Sequence, residues 1–182
     1  MTEEVWILII LGIDPGYAIV GYGIIEFKNG KYTPMDYGVV LTNANDNFSN
    51  RLEIIFDRIS EIVDIYKPDV ISIEKLYFQN NHKTAIDVAQ ARGVTLLAIK
   101  KKNIPIFEYT PLQIKTSVTG YGRAQKNQVM MMTQRLLKLK SIPKPDDAAD
   151  ALAIAICHAN SLGFQYMNKL KIKNIREKIN DL

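Results

Sequence analysis

An α/β domain built on a mixed five-stranded sheet, with helices on both faces, is the architecture the sequence predicts. Three observations predict it. Apolar, β-branched runs of strand length recur five times along the chain. The first three are joined by tight-turn signals, Pro15-Gly16 and Asn29-Gly30, which makes them an antiparallel meander. The other two alternate with segments of helical periodicity, the pattern of parallel strands linked by crossover helices. A length of 182 residues suits one domain with its own core, and 47% apolar with 23% charged residues excludes a disordered chain. A single cysteine, Cys157, excludes a disulfide framework and a Cys-rich zinc site.

The elements follow in order. Val5 to Asp14 reads as a buried strand, and Val20 to Phe27 as its hairpin partner. The third strand runs towards Leu41 with Pro34 near its start, a position that suits a sheet edge. Phe48, Leu52, Ile55, Phe56, Ile59, Ile62, Val63 and Tyr66 repeat at three and four, so they mark an amphipathic helix that Pro68 stops. Asp69 to Glu74 is a short apolar strand ending in an acid. A second helix is expected over Thr84 to Lys101, and a fifth strand over Ile104 to Tyr109. Thr110-Pro111 opens a short helix, because proline suits the first helical turn. After a glycine-bearing break at Thr119 to Gly122, helices are expected over Gln125 to Lys140 and Asp146 to Asn160, separated by Pro143 and Pro145. Residues 1–162 form the expected domain, and 163–182 a basic C-terminal tail rich in Lys, Asn and Ile.

The formal charge of +4 is unevenly spread. Residues 99–144 carry ten basic side chains and a single acid, Glu108, whereas 145–160 carry three Asp and no base. A basic middle beside an acidic segment points to a polyanionic partner only once the acids are placed. The longest apolar run, Val5 to Leu11, falls far short of the roughly 20 residues that span a bilayer, and Glu3 and Glu4 before it have the wrong sign for an export signal. A cytoplasmic protein is expected.

Four acids stand out. Asp14 and Glu74 each end an otherwise apolar strand, the edge at which α/β sheets form sites. Singly they have ordinary explanations, Asp14 as a turn-former and Glu74 as a solvated strand end. Asp146, Asp147 and Asp150 open the last helix. Capping explains Asp146, but Asp150 lies a full turn in, among alanines, where the helix dipole favours it little. Asp147 and Asp150 are three apart and share one face, and the alanine spacers let that face approach a sheet. Converged, Asp14, Glu74, Asp147 and Asp150 would repel one another unless hard cations neutralised them. An all-oxygen donor set points to Mg²⁺ or Mn²⁺, two ions of which clamp an in-line phosphodiester displacement. His158 lies 8 residues past Asp150, about 12 Å along a straight helix, too far to share a metal with it, so it reads as structural or peripheral.

The segments Leu11-Gly12-Ile13-Asp14-Pro15-Gly16, Ile73-Glu74-Lys75-Leu76-Tyr77-Phe78, Gln90-Ala91-Arg92-Gly93-Val94 and Asp147-Ala148-Ala149-Asp150-Ala151-Leu152-Ala153-Ile154-Ala155 together resemble RuvC, the bacterial crossover (Holliday) junction endodeoxyribonuclease family. The resemblance runs in order from about residue 7 to 160. It implies an RNase H-like fold, a homodimer, and Mg²⁺-dependent paired nicking of four-way DNA junctions in recombination and repair. It also implies partnership with the RuvA–RuvB branch-migration machinery. The family's metal-binding acids fall on the same four carboxylates, with Asp146 an extra acid beside them.

Lys115 and Lys126 flank the glycine-bearing break and suit phosphate neutralisation, and the family's basic DNA contacts map onto them. Arg92 suits either a phosphate or a carboxylate. Tyr77 and Phe78 follow Glu74 closely, and two adjacent aromatics on extended chain face opposite ways, so one ring is left to stack on an unpaired base. In the family an aromatic wedges into the junction there. Two other classes stay open: a catalytically silent junction- or RNA-binding module of the same fold, and a nuclease of structural RNA.

Overall fold

The computed structural model describes residues 7–76 and 82–162, so Tyr77, Phe78 and the 163–182 tail lie outside the described residues. The sheet has five strands: β1 (Ile7–Asp14), β2 (Ile19–Lys28), β3 (Lys31–Leu41), β4 (Val70–Glu74) and β5 (Ile106–Tyr109), in the order β3-β2-β1-β4-β5. β1, β2 and β3 pair antiparallel, while β4 runs parallel to β1 and β5 parallel to β4. This is the meander-plus-parallel sheet expected. A register shift between Ile24 and Ile25 leaves Met35 unpaired on edge strand β3, next to Pro34, and both features blunt an exposed edge.

Five helices cover the two faces: α1 (Phe48–Tyr66), α2 (His82–Lys100), α3 (Pro111–Thr119), α4 (Lys126–Leu136) and α5 (146–162). α1 ends where Lys67 turns left-handed ahead of Pro68, as expected. α3 begins with a full capping box, in which Thr110 accepts from the Gln113 N–H and the Gln113 side chain accepts from the Thr110 N–H. α4 is shorter than its periodicity suggests. Lys138 adopts a left-handed φ of 53° just past it, and the Gln134 amide donates to the Leu139 carbonyl, so the chain turns instead of continuing to Lys140.

Strand alternation divides the interior into two cores. Leu11, Ile13, Ile24, Ile71 and Ile73 pack against α1 and α2. Ile10 and Ile25 face the other way, against α3, α4 and α5. α5 is buried along almost its whole length from Ala148 to Ala159, with Asp150 the partly exposed exception. It can lie so close because the strands beneath it carry glycine. A Cβ on Gly12 would sit 2.1 Å from the Ala151 carbonyl oxygen, and one on Gly21 would sit 2.1 Å from that of Asp147. Ser72 on β4 adds a tie, its hydroxyl 3.3 Å from the Ile154 carbonyl oxygen. Among the described residues no helix is long and apolar enough to cross a membrane.

Candidate active site

The face that carries α5 also carries the acids. Asp14 shares the parity of Ile10 and Gly12, and Glu74 that of Ser72, so both strand-end carboxylates point towards α5. Asp14 pairs with Gly21 across the ladder, and Gly21 lies under Asp147. One close helix–sheet approach therefore sets Asp14 beside Asp147, and the i, i+3 spacing brings Asp150 with it.

The electrostatics report the same neighbourhood. Asp14 is pushed up to about 8, first by burial, then by the charges of Asp150, Glu74 and Asp147, with Lys126 opposing. Glu74 is raised by burial and by Asp150, against Lys115 and Lys126. Asp150 is raised by burial, against a hydrogen bond and charge from Lys126. Asp14 thus feels the other three acids, and Lys115 and Lys126 lie close enough to act on the cluster.

Lys126 makes the direct contact. Its Nζ lies 3.0 Å from Asp150 Oδ2 and 3.7 Å from Asp146 Oδ2. A cavity of about 290 Å³ is walled by Glu74, Lys115, Lys126 and Asp150 on an apolar floor that includes Ile114 and Ile154. It adjoins a wider groove of about 680 Å³ that shares Glu74 and Lys115 and extends along Lys75, Leu76 and Leu112. Both lysines expected to meet phosphate therefore stand at the same opening as Glu74 and Asp150.

Among the described residues, no three Asp, Glu, His or Cys side chains stand in an arrangement that holds an ion as it is. The chemistry of the donor set nevertheless fits hard divalent ions. All four groups are carboxylates, and Asp14 is raised first by burial and then by the charges of Asp150, Glu74 and Asp147, a repulsion that a divalent cation would relieve. Asp14, Glu74, Asp147 and Asp150 are the residues that would hold such ions.

The remaining candidates fall elsewhere. Arg92, on α2, reaches β5, where its Nη2 lies 2.5 Å from Glu108 Oε1. Of its two readings the structure shows a carboxylate partner, one that is not in the quartet. His158 is buried, with Nδ1 2.7 Å from the Tyr109 hydroxyl and its ring 4.4 Å from that of Phe107. Burial pushes it down to about 4, so it is a neutral core group, in keeping with a structural role. Cys157 is a buried thiol. The aromatic pair Tyr77-Phe78 lies outside the described residues.

The Asp14 shift predicts how stability depends on pH in the absence of divalent ions. The unfolded carboxyl titrates near 3.8 and the folded one at about 8, so the folded state holds the extra proton between them. Stability therefore falls as pH rises from about 4 through about 8. Asp14→Asn removes this contribution, leaving those of Glu74 and Asp150, and raises the Tm of the metal-free protein at pH 8. Thermal melts in EDTA at pH 5 and pH 8 check it; equal slopes for both proteins would show that Asp14 is an ordinary acid.

Comparison with known proteins supplies the family. The family model described as "Crossover junction endodeoxyribonuclease RuvC" matches residues 10–158. The chain is 57% identical over 170 residues to the crossover junction endodeoxyribonuclease RuvC of Clostridioides difficile (strain 630), covering 92% of this chain and 97% of that one. It is 57% identical over 154 residues to the protein of the same name from Fusobacterium nucleatum subsp. nucleatum, covering 85% and 81%. Among solved structures, RuvC of T. thermophilus in complex with a Holliday junction substrate superposes with a TM-score of 0.81 at 32% identity, covering 85% of this chain and 94% of that one.

Proposed function

From the premise that the chain belongs to the RuvC family of crossover junction endodeoxyribonucleases, we propose that it resolves four-way DNA junctions through the carboxylate site at the α5–sheet contact. Asp14, Glu74, Asp147 and Asp150 would hold two Mg²⁺ ions, with Mn²⁺ an acceptable substitute. Such ions, when bound, would supply positive charge for a phosphodiester displacement. The chain's own residues do the rest. Lys115 and Lys126, at the cavity mouth, neutralise the phosphate that enters between them. The neighbouring groove takes the strand leading to the cut, and the apolar floor under Glu74 and Asp150 limits water around the reacting phosphate. Tyr77 or Phe78 supplies a ring that stacks on an unpaired base beside the cut.

The single observation that carries this reading is the meeting of two acids and both lysines in one cavity beneath α5. A second copy of the chain completes the proposal, since two such sites related by a two-fold axis match a two-fold substrate and nick it symmetrically. Ile86 and Leu97, large apolar side chains exposed on α2, support a face that a second copy covers. Partnership with a RuvA–RuvB branch-migration complex, and a cytoplasmic site of action on DNA, belong to the same proposal.

A synthetic four-way junction, a linear duplex and an RNA hairpin, each offered with and without Mg²⁺, test it. Paired nicks in the junction alone, lost on chelation, are expected. Salt-sensitive binding with no cleavage under any divalent ion would leave a silent binding module. Preferential cutting of the hairpin would move the substrate to RNA.

A further inference from the structure

The acid outside the quartet has a partner that the quartet also claims. Asp146 and Asp150 are four apart on α5, so their side chains lie one above the other. A single ammonium, Lys126 Nζ from the first turn of α4, stands between them at 3.0 Å from Asp150 Oδ2 and 3.7 Å from Asp146 Oδ2. The other Asp146 oxygen, Oδ1, is held 3.0 Å from Lys144 Nζ, which orients the carboxylate with Oδ2 towards Lys126. Without a divalent ion, Lys126 is therefore the cation that Asp150 keeps.

A divalent ion on Asp150 repels the ammonium 3.0 Å from the same carboxylate and competes with it for that negative charge. Lys126 is then driven away from Asp150. Released to solvent, its flexible four-carbon stem regains its rotamers and the charge is lost from the cavity wall. A second carboxylate within reach changes that outcome.

We propose that Asp146 is the holding residue for Lys126: it receives the ammonium that a divalent ion displaces from Asp150 and keeps it at the cavity mouth, within reach of the incoming phosphate. This rests on the reading of Asp150 as a metal ligand. In this role Asp146 acts through Lys126, so it is a positioning residue.

The ordinary alternative is an exposed ion pair of little consequence. The two readings separate in the binding of Mn²⁺ alone, measured by calorimetry on the full chain without DNA. Lys126→Met removes the competing cation, and ion binding tightens by about 2- to 5-fold. Asp146→Asn leaves Lys126 with Asp150 as its remaining carboxylate partner, and ion binding weakens several-fold. In the Lys126→Met background the same Asp146→Asn change has little effect, because its target is gone. In junction nicking at saturating Mg²⁺, Asp146→Asn is about tenfold slower and Asp146→Glu restores the rate, as expected for the loss and return of one charge-assisted contact.

Unchanged or weaker Mn²⁺ binding in Lys126→Met overturns the proposal. So does an Asp146→Asn effect of equal size with and without Lys126, since Asp146 would then act on the ion directly. If the wild-type chain binds no divalent ion at all, the metal site falls with it. If it binds ions and nicks junctions but the two substitutions are uncoupled, the holding role falls alone.

Discussion

Asp14→Asn is expected to slow junction nicking by about 10³-fold or more while leaving the fold intact. Asn has nearly the shape of Asp, so β1 keeps its ladder to β2 and the turn at Pro15-Gly16 is undisturbed. What is lost is one full negative charge at the most crowded point of the cluster, where Asp150, Glu74 and Asp147 all act on the same carboxyl. Removing a single preorganised group aimed at developing charge in other enzymes costs about 10²–10³ in rate. Asp14 would in addition help to hold the ions, so the upper end of that range or beyond is expected. Junction binding, by contrast, rests on lysines such as Lys115 and Lys126 and on the groove, and it persists. Single-turnover nicking beside a gel-shift measurement in Ca²⁺ separates the two. A variant that binds and still cuts at even a tenth of the wild-type rate would remove Asp14 from the catalytic set. The same substitution stabilises the metal-free protein at pH 8, so the residue that makes the chemistry possible is one the empty fold tolerates at a cost.

Gly21→Ala is expected to be nearly as damaging, although the residue carries no functional group. The added Cβ would lie 2.1 Å from the Asp147 carbonyl oxygen and 2.6 Å from its carbon. These are backbone atoms of a buried helix, not the end of a flexible side chain, so α5 must lift or tilt. Gly12→Ala forces the same movement one turn along, against the Ala151 oxygen at 2.1 Å and the Ala155 nitrogen at 2.7 Å. Overpacking of this kind costs about 1–3 kcal/mol, which for a chain of this size lowers Tm by roughly 2–4 °C for each kcal/mol. The rate suffers more than the stability. α5 carries Asp147 and Asp150, and an ångström-scale misplacement of reacting groups costs about 10²-fold. Melting curves and nicking rates of the two glycine variants, measured together, test this. A folded Gly21→Ala protein with wild-type nicking would show that the close approach of α5 does not position the acids.

The two predictions mark different depths of legibility. Asp14 could be picked out because an acid closing an apolar strand is a local anomaly, and Glu74 repeats it. Asp150 could be picked out because capping does not account for it. The strands, the turns at Pro15-Gly16 and Asn29-Gly30, and the Thr110-Pro111 helix start were equally visible, since each is written in neighbours two to four residues apart. The early end of α4 was not. Its apolar spacing continues past Leu136, and only the turn at Lys138 and the Gln134 contact stop it.

The roles of the glycines beneath α5 were also hidden. Gly12, Gly21 and Gly23 read as ordinary strand glycines until Ala151, Asp147 and Leu152 are found lying over them. Arg92 carried no local sign of Glu108, and nothing near Lys126 in the chain announces Asp150 or Asp146.

The chain's sequence by itself determined the sheet's composition, the meander, the four acids and the resemblance that led to its family. It did so because hydrophobic period, turn chemistry and motif spacing are short-range properties. Only the tertiary structure decided that Asp14 and Glu74 point to the α5 face. It alone decided that Lys126 spans two acids of α5 and that Arg92 pairs with Glu108. The first depends on strand parity relative to a helix more than 70 residues away, and all of them on how closely separate elements can approach. Such contacts are set by packing across the whole domain, and no local pattern encodes them.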